Sequence, residues 1–284
     1  MFERFERLSV LYVHRCMEPV WQACPDWEND PWASLRLFLL GYAFERQGRP
    51  PDFAPAAADA IDKVRSKRLD ETAAKAVWEV FSQALGGLKL NHANNPLCPR
   101  GEGYLRKYRG DERRSTVRQV SVVELVADAL GGQCLVPWAR GLIEAEETRK
   151  AHAQLRAVNG ISDKIASFFL RDVGFKSGLA PARDRQLLQP VDGWVRFVTR
   201  TMSGKELDDA ACAEYVVENS AQPERANQGM WYFCVHVAGS GAYRVRHALA
   251  DEALFRRLVA EHLARLRSDA ESAIQFERER SDYT

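Results

Sequence analysis

The sequence predicts an all-α protein, and three observations carry that expectation. Apolar residues recur three and four positions apart along most of the chain, the spacing of one helix face. Glycine, proline and short polar side chains punctuate those runs at their ends. No segment alternates apolar and polar residues as a half-buried strand does, and no internal repeat recurs at a fixed period. With 284 residues, 46% of them hydrophobic, the chain can bury a sizeable core in one large domain or two small ones.

The first helix is read over Phe2 to Ala23, with Phe2, Phe5, Leu8 and Tyr12 on one face. Asp30 followed by Pro31 is a helix start, since aspartate caps and proline fits the first turn; the apolar stretch Trp32 to Arg46 follows. Gln47 to Pro55 is a loop by its glycine and prolines, and Asp70 to Leu85 is an amphipathic helix stopped by Gly86 and Gly87. Asn91 to Arg118 is irregular and polar, and Ser121 to Leu130 is helical up to Gly131 and Gly132. One long helix is expected over Trp138 to Ala157 and another over Lys164 to Val173, with a loop from Gly174 to Gln189. Val191 to Met202, Lys205 to Asn219, Asn227 to Val237 and Tyr243 to Arg267 complete the helical set, and the tail beyond is expected to fray.

The 40 Lys and Arg nearly cancel the 39 Asp and Glu. A net charge of +1 neither advertises nor excludes a nucleic-acid partner, because the local field at the binding face decides. No apolar run approaches the roughly 20 residues of a membrane span. The start, MFERFERLSVLYVHR, mixes acids and bases rather than forming a secretory leader. A cytoplasmic, nucleoid-associated protein with no membrane partner is expected. The six cysteines are scattered without a C-x-x-C pair, so neither a zinc nor an iron–sulfur pattern is present. Reduced, mostly buried thiols are expected, with no metal and no organic cofactor.

The segment Leu155 to Leu170 reads LRAVNGISDKIASFFL. A helix ends, a short turn follows from Val158 to Asp163, and a new helix begins near Lys164 with Ile165, Phe168 and Phe169 as its buried side. A tight turn needs glycine where φ is positive, and Gly160 is placed to supply it. The backbone N–H groups at the start of the next helix then suit an anion such as a DNA phosphate, which carries no base readout. Gly160 and Ser162 are the candidate phosphate contacts. A plain helix corner with Ile161 and Phe168 buried fits the same pattern.

This segment resembles the helix-hairpin-helix motif, with Asn159 where proline is usual and Ser162 where a second glycine is usual. Downstream, Gln189-Pro190-Val191-Asp192-Gly193-Trp194 resembles the Pro-Val-Asp segment of the HhH-GPD superfamily of DNA glycosylases. The resemblance covers Leu155 to Thr201 and keeps the superfamily's order of hairpin, lysine, helix, connection, Pro-Val-Asp and helix. It implies a two-lobed helical glycosylase fold forming a single unit over 1–284. One lobe is expected at about 30–140, and the hairpin lobe at 1–29 and 141–284. It also implies that Lys164 is the nucleophile of a bifunctional member and Asp192 the catalytic carboxylate. The 28 residues from Lys164 to Asp192 exceed the usual connection and are similar to the archaeal 8-oxoguanine glycosylase branch. The four-cysteine cluster of the endonuclease III branch is absent, and Trp194 stands where many members have histidine.

Base excision builds positive charge on the sugar, which a carboxylate stabilises. A lysine amine attacking the anomeric carbon leaves a Schiff base, from which β-elimination cuts the strand. Such an amine must be neutral, so the superfamily's chemistry needs desolvation or a positive neighbour. The target base must also leave the stack for a pocket. Phe168, Trp194, Asn94 and Asn95 are the candidates to line that pocket. From Arg100 to Arg118 the chain holds seven basic residues against three acidic ones, with Tyr104 and Tyr108 interleaved. Arg100, Arg106 and Lys107 there, with Arg183 and Arg185 in the long connection, are candidate phosphate contacts.

The reading is of a monomer acting on double-stranded DNA that contains a modified base, 8-oxoguanine first. Three alternatives stay open beside it. One is a glycosylase for a hypermodified base, such as a glucosylated cytosine of phage DNA. Another is a non-catalytic helix-hairpin-helix DNA-binding protein in which Lys164 meets phosphate and Asp192 only caps a helix. A third, of another class, is an all-α interaction protein with chance matches.

Overall fold

The computed structural model describes residues 1–44, 50–86, 95–100 and 120–281. These residues are helical, with no strand among them and a single isolated parallel bridge between Val120 and Val158. In chain order the helices are α1 Phe2–Tyr12, α2 Glu18–Gln22, α3 Pro31–Phe38, α4 Phe53–Val64, α5 Glu71–Ala84, α6 Val122–Glu124 and α7 Leu135–Glu144. Then come α8 Thr148–Arg156, α9 Asp163–Lys176, α10 Gly193–Ser203, α11 Asp209–Asn219, α12 Pro223–Tyr232, α13 Ala242–Ala250 and α14 Glu252–Ser281. Wider π-turns extend several of them, at Val13–Met17, Leu39–Ala43, Leu125–Ala129 and Phe233–Val237.

Helix starts follow from local chemistry. Asp30 accepts the Trp32 N–H at 2.9 Å, with Pro31 in the first turn. Asp70 accepts the Ala73 N–H at 2.9 Å. Ser121 and Glu124 form a reciprocal capping box, the Glu124 N–H donating to Ser121 Oγ and the Ser121 N–H to Glu124 Oε2.

Elsewhere the structure departs from the pattern. The long helix expected over Trp138 to Ala157 is two helices, broken after Glu144. At the break Glu146 takes a left-handed φ of 60°, and its carboxylate accepts the backbone N–H groups of Ala182 and Arg183 at 2.9 and 2.8 Å. A distant loop thus outbids the local helix. The first stretch is likewise divided, by the π-turn after α1. Helix α9 runs past Gly174 to Lys176, and Arg185–Leu188 is a 3₁₀ turn, so the expected loop is shorter. The tail expected to fray continues α14 to Ser281.

The described chain forms two compact units, residues 13–190 and residues 1–12 with 191–284. The division therefore falls at 12 and 190 rather than near 29 and 140. Within 13–190 the core gathers Leu35, Phe38, Tyr42, Phe44, Phe81 and Phe169, all at most 1% exposed. Phe38, Tyr42 and Phe169 interlock, with Phe169 edge-on to both of the others. In the other unit α1 lies against α12, and Phe5, Phe233 and Phe255 form the aromatic centre. The helices meet at Gly229. A Cβ there would stand 2.6 Å from the Phe5 carbonyl carbon and 3.1 Å from its Cα, so only glycine admits this approach. Among the described residues no helix is long and apolar enough to cross a membrane.

Candidate functional site

Within residues 13–190 the hairpin is built as α8, a turn and α9. Gly160 carries φ 72°, which frees the chain to reverse without a Cβ clash. Ser162 has φ −87°, not the left-handed backbone a second glycine would serve. It is the N-cap of α9, its hydroxyl accepting the Ile165 N–H at 3.4 Å. Asn159, in the place of proline, is buried and donates through Nδ2 to the Cys98 carbonyl at 2.8 Å. The change from proline is thus a tie to another part of the fold.

That tie has company. The Val120 N–H donates to the Ala157 carbonyl at 3.2 Å, and the Asn159 N–H to the Val120 carbonyl at 2.9 Å. Residue 98 precedes the basic segment and residue 120 follows it, so both of its anchors rest on the hairpin turn. Arg100 lies beside the first anchor. Its N–H is held by the Glu124 carboxylate, with both oxygens at 3.0 Å, and its guanidinium reaches Asp128 at 3.5 Å. Arg106, Lys107 and Asn94 lie outside the described residues. Asn95 is turned inward, 1% exposed, its Oδ1 accepting the Leu97 N–H, so it is a turn-forming residue and offers no edge to a base.

Lys164 is half-buried in the first turn of α9. Asp163 beside it is exposed and bound by Arg156 at 2.8 Å, which neutralises an acid that would otherwise repel a phosphate there. His152 sits behind this turn, 3.4 Å from Ser167 Oγ, and burial holds its imidazole below the usual histidine range. Phe168, one helical turn beyond Lys164, is 3% exposed with the Arg171 guanidinium 4.8 Å over its ring. It is a packing residue and not an open pocket wall.

Arg171 and Asp172 were not singled out in the sequence, although two charges inside FFLRDVGF are a signal. Both are fully buried. Arg171 donates through Nε and Nη2 to Asp172 Oδ1 at 2.9 and 2.8 Å. Tyr42 donates to Asp172 Oδ2 at 3.2 Å, and Trp21 Nε1 donates to Tyr42 at 2.9 Å. The chain of bonds fixes α9, and with it the position of Lys164, against α2 and the end of α3.

The connection is also held. Besides the Glu146 bonds, Arg149 pairs with Asp184, whose φ is 53°. Those backbone N–H bonds hold the Glu146 carboxyl below its ordinary range. Arg183 is exposed and Arg185 half-buried on this tied loop.

In the unit of residues 1–12 and 191–284, Asp192 opens α10. Its Oδ1 accepts the N–H groups of Trp194 and Val195 at 2.9 and 2.8 Å. Its Oδ2 makes no hydrogen bond among the described residues. One oxygen thus orients the carboxylate while the second keeps its lone pairs. Burial, and then the Asp192 charge, push the Cys234 thiol far up, so this cysteine is no nucleophile. Trp194 is half-buried, edge-on to Phe197.

Five cysteines are buried and Cys16 is half-buried, and none of the six forms a disulfide. Among the described residues no group of three or more His, Cys, Asp or Glu is placed to hold a metal ion. Compared with known proteins, the chain matches no family model, no curated protein and no solved structure.

Proposed function

We propose that the protein is a helix-hairpin-helix DNA glycosylase with lyase activity, which extrudes a modified base from duplex DNA and excises it. The observation that carries this reading is the hairpin. A Gly160 turn, a Ser162 cap and Lys164 in the first turn of α9 stand where both ends of the chain's most basic segment are anchored. Asp192 adds a carboxylate oriented through one oxygen by a helix start.

In this reading the Lys164 amine attacks the anomeric carbon as the glycosidic bond breaks. The base departs with the bonding electron pair and takes up a proton. The sugar opens to a Schiff base on Lys164, and β-elimination then cuts the strand. Asp192 stabilises the positive charge that builds on the sugar and takes the proton the attacking amine sheds. The guanidiniums of the basic segment and of Arg183 and Arg185 neutralise phosphates and set the register. 8-Oxoguanine is the first candidate base, and a glucosylated cytosine the second.

The test is borohydride trapping on duplexes carrying an abasic site, 8-oxoguanine or a modified cytosine, with Lys164→Gln alongside. A covalent band with the wild type that Lys164→Gln removes is the expected result, and the duplex that releases its base names the substrate. DNA binding without any band on the abasic duplex would leave a non-catalytic hairpin protein instead.

A further inference from the structure

Ion pairing sets the background for this inference. Of the exposed arginines of the described residues, some face a carboxylate and others, among them Arg15, Arg68, Arg183, Arg265 and Arg267, do not. Arg65 meets Asp30 at 2.9 Å, Arg140 meets Glu28 at 3.1 Å, and Arg149 meets Asp184. On α10, Arg196 meets Asp209 at 2.6 Å and Arg200 meets Glu206 at 2.8 Å. Arg244 and Arg246 on α13 belong to the second group. Both are exposed, and neither forms an ion pair with any described residue.

The sequence withholds the acids that would pair them. No Asp or Glu occurs from Arg225 through Ala250. The nearest acids past the helix are engaged elsewhere. Asp251 accepts the N–H groups of Ala253 and Leu254 at 2.9 and 3.2 Å, and Glu252 pairs with Arg4 and Arg256. A chain that balances its charges nearly one for one therefore leaves a local positive field on this helix.

Aromatic rings share the face. Val245 and Ala248 are buried, so Tyr243, Arg244, Arg246 and His247 turn outward. Tyr243 is 79% exposed, its ring 4.1 Å from that of His247. The Arg246 guanidinium lies 5.6 Å from the Phe197 ring on α10, and Phe197 meets Trp194 edge-on at 6.0 Å. Trp194 in turn donates its N–H to Asp192. Trp194, Phe197 and Arg246 thus form one line of contacts beginning at the Asp192 cap, and the Tyr243 and His247 rings stand on the same helix as Arg246.

Unneutralised guanidiniums beside exposed, pre-oriented rings are what a backbone of phosphates with an unstacked base requires. We propose that this face of α13 docks DNA, with Arg244 and Arg246 on backbone phosphates and the Tyr243 ring stacked on an unpaired base. The inference rests on the glycosylase reading, since extruding a base leaves its former partner unpaired. It names contacts in the unit that carries Asp192, apart from the hairpin and its basic segment.

The test measures binding of fluorescein-labelled duplexes, one intact and one with a tetrahydrofuran abasic analogue, over a range of salt. The variants are Arg244→Gln/Arg246→Gln, Tyr243→Ala and Tyr243→Phe, with melting curves to confirm that these surface changes leave the fold intact. Borohydride trapping of the wild type on a true abasic duplex runs in parallel. The double arginine variant is expected to bind about ten-fold or more weakly and to lower the salt slope by about two, near one per phosphate. Tyr243→Ala is expected to lose about five-fold or more on the abasic duplex only, and Tyr243→Phe to restore it. Wild-type affinity and slope in every variant, with trapping intact, would overturn the docking face and leave the glycosylase reading standing. Losses in the variants without any trapping would keep the docking face and remove the lyase chemistry. A wild type that binds neither duplex would overturn both.

Discussion

Replacing Asp192 in two ways separates the cap it forms from the catalytic role proposed for it. Its Oδ1 accepts two N–H groups, from Trp194 at 2.9 Å and Val195 at 2.8 Å, which are orphan donors of the α10 start. Asp192→Ala removes that acceptor from a half-buried cap, a loss of about 1–2 kcal/mol of unfolding free energy. Asp192→Asn keeps an amide oxygen in the same place, and asparagine caps about as well as aspartate, so its loss should stay within about 0.5 kcal/mol. Chemistry should sort the pair differently. Both variants lack the carboxylate, so both should lose about 100-fold or more in single-turnover base release. Urea unfolding followed by circular dichroism gives the first quantity, and quenched-flow excision on the substrate found by trapping gives the second. Asp192→Asn excising at the wild-type rate would refute the catalytic role and leave only the cap. Equal destabilisation by both variants would refute the cap geometry.

Gly229→Ala should destabilise by about 2 kcal/mol or more. The helix-propensity gain of about 1 kcal/mol is outweighed by forcing α12 off the Phe5 backbone, and a melting temperature at or above wild type would contradict the close approach. Asp172→Asn should cost about 3–5 kcal/mol by removing a buried carboxylate charge from beside the buried Arg171 guanidinium, whereas Arg171→Met with Asp172→Leu should cost much less; urea titrations compare them. His152 has a folded pKa lowered by burial, so the unfolded chain takes the proton first. Its contribution to stability is therefore full above the unfolded value of about 6.5 and is lost as pH falls below it toward the lowered folded value. Unfolding free energy should drop between about pH 7.5 and pH 5.5, and His152→Gln should flatten that drop; an unchanged slope would rule His152 out as its source.

Much of the architecture was legible because its causes are local. Asp30 with Pro31, Asp70, and Ser121 with Glu124 each start a helix by bonds to residues two or three positions away, which sequence displays directly. The turn between α8 and α9 was legible in outline for the same reason, since Gly160 at positive φ is a property of one residue. Ser162 stands where a second glycine is usual and is a cap, a difference that only the backbone angle reveals. The single helix expected across Glu146 failed where good helix formers were overruled by two bonds to Ala182 and Arg183, 36 and 37 residues away. Phe168 and Asn95, expected to line a pocket, are packed inward, since an apolar or amide side chain carries no mark of which cavity it faces. The face of α13 escaped notice because its signal is an absence, the missing acids from Arg225 through Ala250.

The sequence by itself determined the helical class, most helix starts, and the order of turn, lysine and Pro-Val-Asp, all set by contacts within a turn or two of chain. Only the tertiary structure decided that the hairpin holds both ends of the basic segment and that Arg171 and Asp172 close a buried pair with Tyr42. It alone decided that Arg244 and Arg246 are left without carboxylates. Those facts depend on which distant groups arrive at the same point in space, and burial and pairing are energies of that meeting rather than of any residue alone.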